Sequence, residues 1–600
     1  MKKFKSMLLA MTFASVFLLT SCGGGNTTPP SNTTTGENNT DDDKEPANTN
    51  DDAPAAGSVN NPAPDENVLY VGTTKHNGAY NYIYASSSYD VQVCHLVYDN
   101  VIDYSGDGIA KPGRIVENID ISDDGLVFTV KLRDGITFSN GAPMTANDVL
   151  FTYKVLADPS CTAYRINKID ALKGAKDYFS GQTEEVEFCK VIDDLTYEVH
   201  FTENLRTNWE SLQVNVLSEA HFPGWEKGKS EEIVTAKHAD PLGSGPYVLD
   251  TYEPSQFTSL KLNENYWAAG ETDYQIEQVV IKFVETTTQL DVLVAGEVDI
   301  LPSIIDRYDV ERVKFDEDGK GTPDYIELLH YKRSAFGYVL FNNDVPSGSP
   351  SSDKLIRQAV THAIDRELFV EQMYGDYAIT LDVPMSQASS IYEKVLGGLT
   401  KYPYDLDRAE ELIQEAGYEK VGGTYEKDGK KLEFKFLAST GNTVVESLLP
   451  VMQDSFSEIG MSLNVTQLEF ASLLDIIQSD STDWDLGFLA SSWTSDEPNN
   501  WYQLFYSGMI PTSNSSRFNN PKFDELIIKG QSYLDLTAPE AIECYSEIAM
   551  LLNEEMPLMP LYANTLTAMV NKRVQGVEDI GTFTEWSEVL DGAYIEGYKK

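Results

Sequence analysis

From about residue 68 onward, apolar residues follow two interleaved rhythms, one of period two and one near 3.6, separated by polar turn residues. Val68 to Val71 predicts a short opening strand. Phe128, Val130 and Leu132 alternate as a half-buried strand, and the pairs Asp134-Gly135 and Asn140-Gly141 after it mark turns. Thr145, with Asp148 three residues on, sets up the start of a helix; Val91 to Val101 predicts another. Asp405 precedes Leu406, Ala409, Leu412, Ile413 and Ala416, one face of a helix. Gly417 then supplies a left-handed C-terminal cap. Leu355, Ile356, Ala359, Val360, Ala363 and Ile364 form a further buried stripe. Tyr80, Tyr82 and Tyr84 share one face if that stretch is extended. Leu486 to Ala490 is a continuous apolar run, as in a buried strand. It stops at Ser491 and Ser492, and is followed by Trp493 and, three residues later, Asp496. An indole offers apolar area with one N–H donor, and an acid in a dry cleft forms a strong charge-assisted bond. The pair therefore suits a cleft wall, while a core Trp beside a solvated Asp is the plainer alternative.

Composition narrows the class. Six hundred residues exceed one core, so two to four domains are expected. Lys+Arg 45 against Asp+Glu 94 gives a formal charge of −49, which disfavours nucleic acid as a partner. Lys2, Lys3 and Lys5 precede an apolar run from Met7 to Leu19, too short to span a bilayer as a helix. Leu19-Thr20-Ser21-Cys22 then resembles the lipobox of bacterial lipoproteins. That resemblance implies cleavage before Cys22, which would carry the lipid and hold the protein to the outer face of a membrane. From Gly23 to about Asn67 the chain is Gly, Ser, Thr, Asn, Pro and acid. It reads as a disordered tether with an end-to-end distance of roughly 35–40 Å. Cys94, Cys161, Cys189 and Cys544 show no metal-site spacing. Either disulfides (Cys161 and Cys189 lie nearest in sequence) or buried thiols fit them.

A series of short motifs then points to one family. Phe128-Thr-Val-Lys-Leu-Arg133-Asp-Gly135 through Asn140-Gly141-Ala-Pro-Met-Thr145-Ala-Asn-Asp148-Val resembles the extracellular solute-binding proteins of family 5, the peptide- and nickel-type binding components of ABC importers. Gly243-Ser-Gly-Pro-Tyr247, Asn263-Glu-Asn-Tyr266-Trp267, Gly296-Glu-Val-Asp299-Ile, Ile356-Arg357-Gln-Ala359, Ala363-Ile-Asp365-Arg366 and Tyr404-Asp405 through Gly417-Tyr418 follow in the family's order. The resemblance covers nearly everything from Val68 to Tyr598. It implies an α/β, periplasmic-binding-protein-like type II (cluster C) two-lobe fold with an extra inserted domain. Lobe I would comprise residues 68–100, 237–332 and 573–600, the inserted domain 101–236, and lobe II 333–572.

The resemblance also implies a site. Trp493-Thr-Ser-Asp496 matches a W-x-x-D whose acid takes a peptide's α-amino group, although Pro498 follows sooner than usual. Phe470 falls where some members carry an aromatic pocket wall, and Tyr164 corresponds to a tyrosine of the closing domain. The implied partners are a peptide or other small solute, ABC permease subunits and a membrane through the N-terminal lipid, with the protein itself a monomer. No metal or cofactor is expected. Asp316, Asp318, Gly321, Asp324 and Glu327 only partly mimic a calcium loop, since Lys320 stands where an oxygen ligand is needed. Oligosaccharides, nickel chelates, haem or opines remain rival ligands on the same scaffold. An envelope hydrolase is disfavoured: the histidines are scattered, and neither H-E-x-x-H nor G-x-S-x-G occurs.

Overall fold

The computed structural model describes residues 66–85, 87–106, 108–162, 169, 171–314, 325–493 and 499–598. Strand β1 (Val68–Thr73) leads through a turn into helix α1 (Ser88–Val97). Strands β2 (Val116–Ile121), β3 (Val127–Leu132), β4 (Cys189–Val191) and β5 (Thr196–His200) form a separate antiparallel sheet in the order β2-β3-β5-β4. Helix α2 (Ala146–Leu156) follows β3, and the Thr145 N–H donates to the Asp148 carboxylate at 2.9 Å.

The chain then returns as β6 (Tyr247–Glu253), β7 (Phe257–Leu262), β8 (Gln278–Phe283), β9 (Ile300–Ile304) and β10 (Ile326–Lys332). A second half contributes β11 (Ala335–Phe341), β12 (Ala378–Thr380), β13 (Glu433–Ser439), β14 (Ser462–Leu468) and β15 (Leu486–Ser492). The last long strand, β16 (Leu558–Asn571), joins everything into one 12-stranded sheet. Its first residues pair with β11 and β12, its last with β9 and β10. Strand β16 and the connector Arg333-Ser334 thus carry the chain from one half to the other.

Strand alternation sorts the cores. All seven residues of β11 are buried; Phe336, Tyr338 and Leu340 join one apolar cluster, and Val339 and Phe341 join another. A strand buried on both faces reads as a continuous apolar run, as 335–341 does. In the first half, Asp299 ties three strands together. Its carboxylate pairs with Arg573 at 2.6 Å and accepts the Tyr70 N–H at 3.0 Å, with Asp299 fully buried. Burial raises this carboxyl, and the Arg573 guanidinium only partly opposes that. Arg357 and Arg366 of the later motifs are likewise structural. Arg366 donates to the carbonyls of Leu381, Pro560 and Tyr402, and Arg357 to those of Ser351, Glu555 and Met556.

Three local expectations change. Residues 80–84 are a turn, in which the Tyr84 and Ala85 N–H groups donate to the Asn81 carbonyl, so the three tyrosines do not share a strand face. Helix α1 runs from Ser88 rather than Val91 and stops at Val97, because the Ser87 hydroxyl caps it earlier. Strand β15 continues through Ser491 and Ser492, because Phe336 and Ala335 of β11 offer them partners. Cys94, Cys161, Cys189 and Cys544 are all buried free thiols, so the Cys161–Cys189 bridge is not formed. No helix among the described residues is long and apolar enough to cross a membrane.

Candidate functional site

Strand direction places the site. Strand β16 runs from the second half into the first. Strand β9 is antiparallel to it and β1 and β8 are parallel to β9, so these three aim their carboxyl ends back at the junction. Strand β11 runs away from the junction. Strand β15 is antiparallel to β11, and β13 and β14 are parallel to β15, so these three also end at the junction. Two sets of parallel strands therefore point their carboxyl ends at each other across the crossing strands. Backbone groups left unpaired at such ends, together with the loops that follow, commonly build ligand crevices in α/β sheets.

Trp493 stands at this place. Its backbone N–H donates to the Ser334 carbonyl at 2.9 Å, which fixes the end of β15 against the connector between the halves. The indole lies 5.3 Å from the Phe336 ring, tilted by 32°, and is partly buried. The neighbouring Ser492 hydroxyl is buried without a hydrogen-bond partner among the described residues. Phe470 begins the helix Phe470–Ile477 just after β14 and packs, partly buried, on the same apolar cluster as Trp493. With β13 lying between β14 and β15, the two aromatic positions are separated by two strand spacings, roughly 10 Å. Asp496 and Tyr164, expected beside them, lie outside the described residues, as do Cys22 and the segment 315–324 of the calcium-like loop. Among the described residues no group of acids, histidines or cysteines could hold a metal.

The first half meets the same connector. The Thr582 hydroxyl donates to the Lys332 carbonyl at 2.6 Å, within roughly 7 Å along the chain of the carbonyl that Trp493 holds. Glu585 follows. Burial lifts its carboxyl to about 7, Glu588 pushes the same way, and His95 and Gln92 pull against them. One Glu585 oxygen is buried with no hydrogen-bond partner among the described residues. Trp586 anchors the segment to α1 through a 3.0 Å bond to Gln92. In the loop leaving β1, Asp90 accepts the N–H groups of Asn77 and Gly78 at 3.0 Å each. His76 is fully buried there and pushed down to about 3 by burial, so it stays neutral and is no proton carrier near neutral pH. His200 is paired with Glu198 on β5 at 3.0 Å.

The halves also touch on either side of the junction. The Arg206 N–H donates to the Gln531 carbonyl at 2.9 Å, and the Arg307 guanidinium to the Glu371 carbonyl at 3.3 Å. A separate open groove of about 720 Å³ lies on the other face of β1, β7 and β8, lined by Tyr70, Phe257, Val280 and Lys282. Its lysine is already engaged, donating to the Glu297 carbonyl. Sequence reading did not mark Ser334, Thr582 or Glu585. Each is an ordinary residue type in an ordinary setting, and only long-range pairing brings Ser334 to Trp493 and Thr582 to Lys332.

Comparison with known proteins agrees with this geometry. Residues 112–511 match the pattern described as "Bacterial extracellular solute-binding proteins, family 5 Middle". Heme-binding protein A of Haemophilus influenzae is 24% identical over 498 residues, spanning 80% of this chain and 84% of that protein. Oligopeptide-binding protein AppA of Bacillus subtilis is 23% identical over 498 residues, spanning 82% of this chain and 86% of that protein. The solved structure of AppA from Bacillus subtilis with a nonapeptide superposes with a TM-score of 0.66 at 21% identity, covering 88% of this chain and 98% of that one.

Proposed function

Because the chain belongs to the bacterial extracellular solute-binding proteins of family 5, we propose that it captures peptides between two closing lobes and hands them to the permease of an ABC importer. Residues 68–100, 237–332 and 573–600 would form lobe I, 101–236 the inserted domain and 333–572 lobe II. The β16 strand and the Arg333-Ser334 connector are the hinge about which they shut. The protein is a monomer and a carrier, with ATP hydrolysis left to other subunits. Cys22 bears the lipid that holds it at the extracytoplasmic face of the membrane.

The observation that carries this reading is the seat of Trp493, bonded through its backbone to the connector at the facing strand ends. An extended ligand there can pair its backbone with the exposed edge, whatever its side chains, and water can fill the pockets around those side chains. Asp496 takes the ligand's α-amino group, Trp493 and Phe470 supply apolar walls, and Tyr164 closes from the inserted domain. Calorimetry with short peptides tests this. Asp496→Asn should weaken binding of free-amino peptides about 10- to 100-fold and leave N-acetylated peptides unaffected. Unchanged affinity removes Asp496 from the site.

A second reading is haem, because a relative of similar identity is named a haem-binding protein. Native mass spectrometry of the ligand retained on purification, with a haem absorbance titration, separates the two.

A further inference from the structure

Strands β1, β7 and β8 have two unlike faces. Leu69, Val71, Leu260, Val279 and Ile281 point into the large apolar core of the first half. The alternate positions face outward: Tyr70, Val280 and Ser259 stand in register across the three strands, as do Gly72, Lys282 and Phe257. Tyr70, Val280, Ser259, Lys282 and Phe257 line the open groove of about 720 Å³, and the rings of Tyr70 and Phe257 are only half-buried. The floor is roughly 10 Å wide, two strand spacings. It runs from Gln278 to Glu285, both of which line it, a distance of roughly 23 Å if extended.

The chemistry of the groove selects its occupant. Glu66, Glu285 and Glu297 stand on its rim, all exposed. Lys282 is already engaged: its Nζ lies 4.6 Å from the Tyr70 ring centroid and donates to the Glu297 carbonyl at 2.7 Å. An anionic occupant would meet three carboxylates and a lysine in use. An uncharged one rich in proline suits the exposed rings, since aromatic-lined grooves receive polyproline II segments. The chain itself enters beside this groove. The Asn67 carbonyl accepts the N–H groups of Glu277 and Gln278 at 3.2 and 3.3 Å, and its side chain donates to the Gln275 carbonyl at 2.6 Å. Glu66, one residue earlier, lines the groove. Upstream, residues 53–64 carry no charge, although Asp51 and Asp52 precede them and Asp65 follows. Ala53, Ala56, Val59 and Pro62 recur at every third position, which puts them on one edge of a helix with three residues per turn. About seven residues of such a helix, at about 3.1 Å each, match the length of the groove.

We propose that the uncharged stretch 53–64 docks along this groove as a polyproline II segment, turning back at Asp65-Glu66 and laying Val59 and Pro62 against Tyr70, Val280 and Phe257. The contact is intramolecular, so a weak one suffices: a short link holds the stretch at an effective concentration on the order of mM. Charge sets where docking stops, because Glu285 and Glu297 at the far end repel Asp51 and Asp52. Docking fixes the side of the body from which the chain leaves. With Cys22 lipidated as proposed above, it sets which face of the first half turns to the membrane.

Elastase, which cuts after small side chains, tests this on the full chain against a synthetic peptide of residues 51–66. Cleavage after Ala56 should be about tenfold slower in the protein than in the peptide, since only the undocked fraction is cut. Val280→Lys, on the groove floor, should bring cleavage to the peptide's rate. Val59→Gly with Pro62→Gly, which changes no residue of the sheet, should do the same against a peptide carrying both substitutions. Melting curves establish that the variants are folded. Equal rates in wild type and peptide, or protection that survives either substitution in a folded protein, overturn the proposal. Protection that grows with protein concentration, with a dimer in sedimentation, assigns the groove to a second copy and overturns it as well. None of these outcomes depends on which solute the protein binds or on a lipid at Cys22.

Discussion

Replacing Trp493 by alanine separates a cleft wall from a core aromatic. The indole packs 5.3 Å from Phe336 and is partly buried in the apolar cluster of the second half. An indole presents on the order of 200 Å², of which roughly 150 Å² would be covered here by protein and about 50 Å² left open. At about 25 cal/mol per Å², losing the covered part costs ~3–4 kcal/mol of stability, of which the ring pair accounts for ~1 kcal/mol. If a ligand covers the open part, the loss of binding is ~1.3 kcal/mol, about tenfold in Kd. Trp493→Phe keeps a ring against Phe336 and should lose only ~1 kcal/mol of stability. Calorimetric titration with a short peptide reads the affinity. Hydrogen exchange of β15 reads the stability of the second half without assuming that the whole chain melts as one unit. A Trp493→Ala protein with destabilised β15 but unchanged peptide affinity would refute the cleft assignment and leave Trp493 as core.

Two further outcomes follow from the buried charges. Asp299→Ala strips the partner from Arg573, and a broken buried pair costs about 3–5 kcal/mol; denaturation of the variant should show this, with part of the loss recovered by adding Arg573→Met. A melt equal to wild type would mean that the pair does not hold β1, β9 and β16 together. Glu585, whose carboxyl is raised to about 7 chiefly by burial, keeps a proton in the native state that the unfolded chain has already released. Its contribution to stability is therefore lost as pH rises from about 4.5 to about 7. Glu585→Gln should lessen the decline of stability over that window by up to ~3 kcal/mol. Identical pH dependence of melting in both proteins would place Glu585 in solvent.

Local chemistry made much of this protein legible from its sequence. The alternation of Phe128, Val130 and Leu132, the acid at Asp148, the cap at Asp405 and the apolar stripe around Ile356 each depend on neighbours within one or two turns, and each stands where expected. The ordered motifs, which reflect those same local needs, were enough to indicate the family and its α/β fold. What sequence could not decide was pairing between distant segments. Ser491 and Ser492 are strand only because β11 lies beside them, and Tyr80 to Tyr84 turn because Asn81 gathers two backbone N–H groups. Trp493 becomes a junction residue through one bond to Ser334. A side chain's periodicity is written in its neighbours. Its partners across the fold are set by where the sheet brings strands together, which no local spacing encodes.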